Sequence, residues 1–394
     1  MSDEIYLDNA ATTRIDDEVK DAMAGVADVY GNPSSIHRMG VAAHDLIMRS
    51  RKTVAEYLNC SPDNIVFTSG GSESNATALK SADSAWVNII YSAVEHESVI
   101  ENAGMCRTYA GSYGAKIKVG ADGRVMPDEL EKQLRCMDND PAFVAIMAAN
   151  NEISCFNDIP SLAKIIQASN SKSRFHVDCV QAATYCRLDV QKLGCDTLSI
   201  SGHKIHAPKG IGVLYVRDKG EVTSLIRGSA FQEHGLRGGT ENVQGIVGLA
   251  KAIEVLDRDW DEIQAHNSRI KHVFYDVLCR EATRLGFRDA MHLNGFHPSL
   301  PGKIISLRFD GVDAQTLVLA LSAKGIYISA GSACNAHSSA GSRVLRAIGL
   351  DEVQAHSTVR VSFSKYNTEE EVRRAAIQIA ATVNMLRSLV GGGS

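Results

Sequence analysis

The sequence predicts an α/β protein, with a mostly parallel sheet in a large domain and a smaller α+β domain beside it. Three observations carry that prediction. Between about residues 64 and 217, short apolar strands alternate with helical stretches, the order from which helix-covered parallel sheets are built. After a helical stretch around Gln244 to Leu285, the pattern changes to strand, helix, small-residue loop, helix, strand and a last helix from about Thr368 to Leu389. A chain of 394 residues is long enough to bury two cores. The expected division is a large domain over 14–260, a small domain over 1–13 and 261–390, and a flexible Gly-Gly-Gly-Ser tail over 391–394.

Taken in order, the strands end in polar residues, and ligands of such sheets bind outside those ends. Asn64 to Thr68 runs into Ser69-Gly70-Gly71-Ser72-Glu73-Ser74-Asn75. Glycines that let backbone N–H groups approach an anion, the Ser72 hydroxyl and a helix N-terminus together describe a phosphate cup, although a plain strand-to-helix turn reads the same. Val87 to Tyr91 leads to His96, an imidazole able to stack on a planar cofactor and move protons. A lone histidine is more commonly surface or satisfied core. Phe143 to Met147 leads to Asn150-Asn151-Glu152-Ile153, where Asn151 is a donor for a ring oxygen or a carboxylate, or simply part of a turn.

Arg174 to Asp178 ends in a carboxylate, with Gln181 three residues on. Against a pyridine nitrogen, Asp178 would keep that nitrogen protonated so that the ring can withdraw electrons, and Gln181 could donate to the ring's phenolic oxygen. Asp178 would equally suit a helix cap. Leu198 to Ser201 ends in Gly202-His203-Lys204. Desolvation at the end of a buried strand, beside His203, disfavours an ammonium and exposes a nucleophilic amine, the Schiff-base chemistry of a pyridoxal phosphate (PLP) enzyme. On its own, Lys204 also reads as a surface lysine.

In the second domain, Lys303 to Phe309 is a strand and Asp313 to Lys324 a helix. The loop Ser329 to Gly341 is almost all small residues, and Cys334 is its most nucleophilic side chain. Arg360, in the strand Thr358 to Phe363, offers a planar guanidinium for a substrate carboxylate.

Composition excludes several classes. A net charge of −5 and a pI near 6.2 give no electrostatic reason for direct nucleic-acid or acidic-membrane binding. Apolar runs such as 143–149 and 316–321 are too short to span a bilayer, and Met1-Ser2-Asp3-Glu4 is acidic with no hydrophobic region behind it, so a cytoplasmic protein is expected. Nine cysteines without a C-x-x-C pair argue against a disulfide framework and against structural zinc, so no metal is expected.

Read together, these segments resemble the cysteine desulfurases of the NifS and IscS type, in the aminotransferase-like fold type I group of PLP enzymes. The resemblance runs from Tyr6-Leu7-Asp8-Asn9-Ala10-Ala11-Thr12-Thr13 and Gly31-Asn32-Pro33-Ser34-Ser35-Ile36-His37 to Ile348-Gly349-Leu350 and the Arg360 strand. Ser201-Gly202-His203-Lys204, followed by Pro208-Lys209-Gly210-Ile211-Gly212, and Leu236-Arg237-Gly238-Gly239-Thr240-Glu241-Asn242 are its most specific parts. It implies that Lys204 holds PLP covalently, that Gly71, Ser72, Ser201 and His203 hold the phosphate, and that Thr240 reaches the cofactor of the other subunit of a homodimer. It implies that His96 stacks on the ring, Asp178 pairs with its nitrogen, Asn151 and Gln181 contact its phenolic oxygen, and Arg360 binds the substrate carboxylate. Cys334, on a long loop like that of the IscS-like class, is the implied nucleophile.

The implied reaction takes L-cysteine to L-alanine. Lys204 and His96 manage the protons, the Cys334 thiolate attacks the substrate sulfur, and the resulting persulfide passes to an acceptor protein. Iron–sulfur cluster assembly, tRNA thiolation and DNA phosphorothioation are all served by such enzymes. Two departures stand out. Ser154-Cys155-Phe156-Asn157-Asp158 replaces the usual glycine and small or apolar residues, which brings Cys155 near the expected site as a packing substitution or a second thiol. Asn335-Ala336-His337-Ser338-Ser339 lacks the acidic and proline residues often found after the nucleophile. The alternatives are a selenocysteine lyase or another fold type I C–S lyase, and a non-catalytic sulfur-transfer platform.

Overall fold

The computed structural model describes residues 4–85, 88–110, 114–137, 140–295, 302–331 and 341–391. Its strands are β1 (Ile5–Tyr6), β2 (Ile65–Thr68), β3 (Asn88–Ser92), β4 (Gly114–Ile117), β5 (Ala142–Ala145), β6 (Arg174–Asp178), β7 (Thr197–Ser201), β8 (Gly212–Val216), β9 (Met291–Asn294), β10 (Ile304–Phe309), β11 (Ile326–Tyr327) and β12 (Thr358–Ser362). Seven of them form one sheet in the order β2-β8-β7-β6-β5-β3-β4, in which β8 alone runs against its neighbours. Every residue of β2, β5, β7 and β8 is buried. Strands covered on both faces read as unbroken apolar runs such as Gly212-Val213-Leu214-Tyr215-Val216 rather than as alternation.

Two apolar layers sandwich this sheet. Val54, Leu58, Phe67, Ile90, Val144, Phe175, Ile200 and Leu249 belong to one, and Val66, Leu79, Ile89, Tyr91, Phe143 and Leu214 to the other. A third core surrounds the antiparallel sheet β12-β10-β9, where Ile5, Leu7, Phe274, Leu307, Phe309, Val361 and Ile379 pack together. The N-terminal strand β1 pairs with β11, so the first residues join the chain's last third. A fourth cluster links Val94, Met147, Ile153 and Cys155, just beyond strand ends of the large sheet, to Val344, Leu345, Ile348 and Ala355. That cluster closes the two parts against each other at the mouth of the strand ends.

Some expectations shift. The helical stretch expected over 244–285 is two helices, Val243–Arg258 and Trp260–Arg284, interrupted at Asp259. Strand β9 follows them unannounced, because Met-His-Leu-Asn carries too short a pattern to stand out. The C-terminal helix ends at Gly391, one residue into the segment set aside as a tail. Val87 lies outside the described residues. None of the described helices is long and apolar enough to cross a membrane.

Candidate active site

The segments that follow β2, β3, β5, β6 and β7 leave the large sheet on one edge and converge on a cavity of about 500 Å³. Gly71, Ser72, His96, Asn151, Asp178, Gln181, Ser201, His203, Lys204 and Arg360 all line it. Nine of these ten come from the large sheet's strand ends, and Arg360 comes from β12. A size of several hundred Å³ with a few convergent polar groups is ordinary for a small-molecule site.

Lys204 ends a short 3₁₀ turn after β7, and its Nζ donates to the carbonyls of Ala10 and Ala11, both at 2.7 Å. Gln181 Nε2 donates to the same Ala10 oxygen at 2.9 Å. The turn between β1 and the first helix therefore forms one wall. His203 meets Thr12 Oγ1 through Nδ1 at 3.2 Å, and burial, with the nearby Lys204, Lys209 and Lys303 charges, pulls its pKa down to about 4. It is a neutral ring at physiological pH. The Arg360 guanidinium is 2% exposed and donates to the Asn151 carbonyl and to Asp8 Oδ1, both at 2.8 Å. Such a doubly held fork is oriented before any carboxylate arrives.

At one end of the cavity the helix Gly71–Ala85 begins, with Ser201 and His203 beside it. A Cβ on Gly212 would stand 2.6 Å from the Gly70 Cα, so glycine at 212 lets β8 approach the turn that opens this helix. Glu73 accepts from the Ser69 backbone at 2.8 Å and pairs with Arg237 at 3.1 Å, tying the cup to the 236–242 segment. Asp178 lines the same cavity; its Oδ1 accepts from the Val180 backbone at 2.9 Å and its Oδ2 accepts from Asn75 Nδ2 at 2.8 Å.

Several residues that the sequence reading passed over complete the site. Asn75, itself held by His176, donates to Asp178, and Ser98 bonds His96. Glu95 lines the cavity with its carboxyl buried, accepting from Ser92 and from the Met147 backbone, and burial pushes its pKa up to about 8. Glu152, also buried and also raised by burial, accepts from Ser342 Oγ at 2.6 Å. Lys303 is buried behind Lys204, donating to its carbonyl at 3.3 Å; burial first, then Lys204 and Arg360, lower its pKa to about 7. Asn75, His176, Glu95, Ser98 and Glu152 stand inside or beside the motifs singled out in the sequence, whereas Lys303 had no such signal.

Thr240 is exposed and does not line this chain's cavity. Cys334, with residues 332–340, lies outside the described residues. Cys155 is fully buried in the fourth cluster, donates to the Gly123 carbonyl at 3.3 Å, and burial pushes its thiol up to about 12. It does not line the cavity, so it packs as a small hydrophobe.

These residues fit PLP. A helix N-terminus with serine donors, an acceptor carboxylate and the Lys204 amine all line one cavity. Gln181 Oε1 and Glu95 Oε2 are buried on its walls with no hydrogen-bond partner among the described residues, polar atoms that a bound group would satisfy.

Known proteins agree with this geometry. The family model described as aminotransferase class-V matches residues 5–375. A cysteine desulfurase IscS from Methanosarcina thermophila is 36% identical over 398 residues, covering 98% of this chain and 93% of that protein. A solved NifS-like protein superposes with a TM-score of 0.85 at 33% identity, over 97% of this chain and all of that one. The structure of SspA in complex with cysteine does so with a TM-score of 0.74 at 29% identity, over 92% of this chain and 99% of that one. The chain belongs to the class-V aminotransferases and, within them, to the cysteine desulfurases.

Proposed function

We propose that this protein uses PLP to convert L-cysteine to L-alanine, with the sulfur carried away on Cys334 and passed to an acceptor protein. The observation that carries the reading is the convergence of Lys204, Asp178, His96 and Arg360 from four different strands on one cavity. When bound, PLP supplies an electron sink for the bonds at the substrate α-carbon. The chain's own residues do the rest. Gly71, Ser72, Ser201 and His203 bind the phosphate, and Asp178 holds a proton at the ring nitrogen. His96 stacks on the ring, and Asn151 and Gln181 orient its phenolic oxygen. Arg360 would receive the substrate carboxylate, and Lys204 Nζ would move protons at the α-carbon. The Cys334 thiolate attacks the substrate sulfur; the S–S bond forms as the substrate Cβ–S bond breaks, and the three-carbon fragment keeps the electron pair and takes up the proton lost by the thiol, leaving Cys334 as a persulfide and the fragment as alanine.

A homodimer completes the reading, with Thr240 reaching the other copy's phosphate. Ile36 and Phe231 are 98% and 94% exposed, which fits surface covered by a second chain. The division into a 14–260 domain and a second one from 1–13 with 261–390 fits the separate cores, and the −5 charge fits a cytoplasmic enzyme that delivers sulfur through a protein partner. The test is PLP uptake and substrate choice. Wild type is expected to gain a visible absorption band on adding PLP that Lys204→Ala lacks, and to turn over L-cysteine. Turnover of L-selenocysteine alone would make it a selenocysteine lyase, and a protein that takes up no PLP would be a platform.

A further inference from the structure

Along one wall of the cavity runs a hydrogen-bonded chain of side chains that joins two of the proposed cofactor contacts, Asp178 and His96. Asn75 is 1% exposed, and its Nδ2 lies 2.8 Å from Asp178 Oδ2 and 2.9 Å from Ser98 Oγ. Its Oδ1 lies 2.9 Å from His176 Nε2. The other nitrogen of His176, Nδ1, meets Thr197 Oγ1 at 2.9 Å, and Ser98 Oγ meets His96 Nδ1 at 2.8 Å.

The directions of these bonds can be solved. Burial draws the pKa of His176 down to about 4, so the ring is neutral and carries one N–H. Turning the Asn75 amide over would set its oxygen against the Asp178 carboxylate, so Nδ2 must face Asp178 and Oδ1 must face His176. His176 therefore donates from Nε2, and the Thr197 hydroxyl donates to Nδ1. The two hydrogens on Asn75 Nδ2 go to Asp178 and to Ser98 Oγ. Ser98, having accepted there, turns its own hydrogen to His96 Nδ1. The Ser98 backbone N–H, which can only donate, reaches the same Nδ1 at 3.1 Å. Two donors on one ring nitrogen require a lone pair there.

We infer that Asn75 and Ser98 are positioning residues that fix neutral His96 as its Nε2–H tautomer. The inference rests on the proposed reading of His96 as a cofactor-side residue and sharpens it. A neutral ring protonated at Nε2 has no lone pair there, and its Nδ1 lone pair is already engaged by Ser98. His96 then serves as a stacked ring and a hydrogen-bond donor, and taking protons from the substrate falls to Lys204. The same Asn75 amide braces Asp178, so the carboxylate and the imidazole are oriented by one group.

The experiment is a long-range 1H–15N correlation on holoenzyme labelled with 15N-histidine, with the His96 signal assigned by its loss in His96→Gln. The wild-type ring is expected to show the Nε2–H pattern; an Nδ1–H pattern overturns the inference, whatever the catalytic activity. Ser98→Ala removes the hydroxyl donor and leaves His96 Nδ1 with the longer backbone N–H alone, so it is expected to raise the share of the Nδ1–H tautomer and lower kcat on the order of tenfold, with KM for L-cysteine unchanged. Ser98→Thr, which keeps the hydroxyl, is expected to restore both. An unchanged tautomer and kcat in Ser98→Ala would also overturn it. Absence of turnover in wild type would sink the desulfurase reading and leave the spectroscopic test standing.

Discussion

At the scale of single residues, chemistry near the cavity is set by which charges burial allows. Glu95 keeps its proton in the folded state up to about pH 8, whereas an unfolded glutamate ionises near 4.5. Between those values the folded state binds more protons, so this group's contribution to stability falls as pH rises. Relative to wild type, Glu95→Gln is expected to gain melting temperature steadily from pH 5 to pH 8, and a pH-independent difference would contradict the assigned proton. Strand-end residues such as His96, Asp178 and Lys204 were legible because each follows an apolar run directly. Asn75 was not, since it gains its meaning only from Ser98, His176 and Asp178, which stand 23, 101 and 103 residues away. Lys303 was read only as the start of a strand, because nothing nearby in sequence announces the Lys204 carbonyl it reaches.

At the scale of elements, the segment ending in Thr240 shows how a strained turn is held in place. Glu233 and His234 both adopt left-handed backbone conformations, with φ of 43° and 58°, just before Gly235. The cost of such conformations is of order 1 kcal/mol or more each. A buried ion pair offsets it: Glu233 meets Arg51 at 2.6 Å, accepts from the Phe67 backbone at 2.7 Å, and both side chains are at most 5% exposed. Arg51→Ala would strand that carboxylate in the core and is expected to cost about 3–5 kcal/mol in urea unfolding. A loss below about 1 kcal/mol would mean that the turn stands without the pair. The motif around Arg237 and Thr240 was visible in sequence, but its anchor was not. Arg51 sits on the helix Arg38–Leu58, far away along the chain and in a pattern that reads as an ordinary amphipathic face.

At the scale of the whole molecule, the site exists because the two sheets and the N-terminal turn are joined through it. Arg360 on β12 pairs with Asp8, Lys303 before β10 reaches the Lys204 carbonyl, and Lys204 reaches back to Ala10 and Ala11. The alternation of strands and helices made the large sheet legible. The joining of the chain's first residues to its last third, expected in the division into domains, runs through β1 pairing with β11, two residues against two, and through Asn9 and Ala10 to Ser362, contacts too short for any periodicity to signal. The central claim is that this assembly moves sulfur from L-cysteine to Cys334. It is tested most directly by measuring sulfide and alanine release from L-cysteine, with a thiol reductant, at matched PLP content. Wild type and Cys155→Ala are expected to release both in equal amounts, and Cys334→Ala to release neither while its cofactor absorbance survives. Undiminished sulfide from Cys334→Ala would make that thiol a bystander and the protein a different C–S lyase.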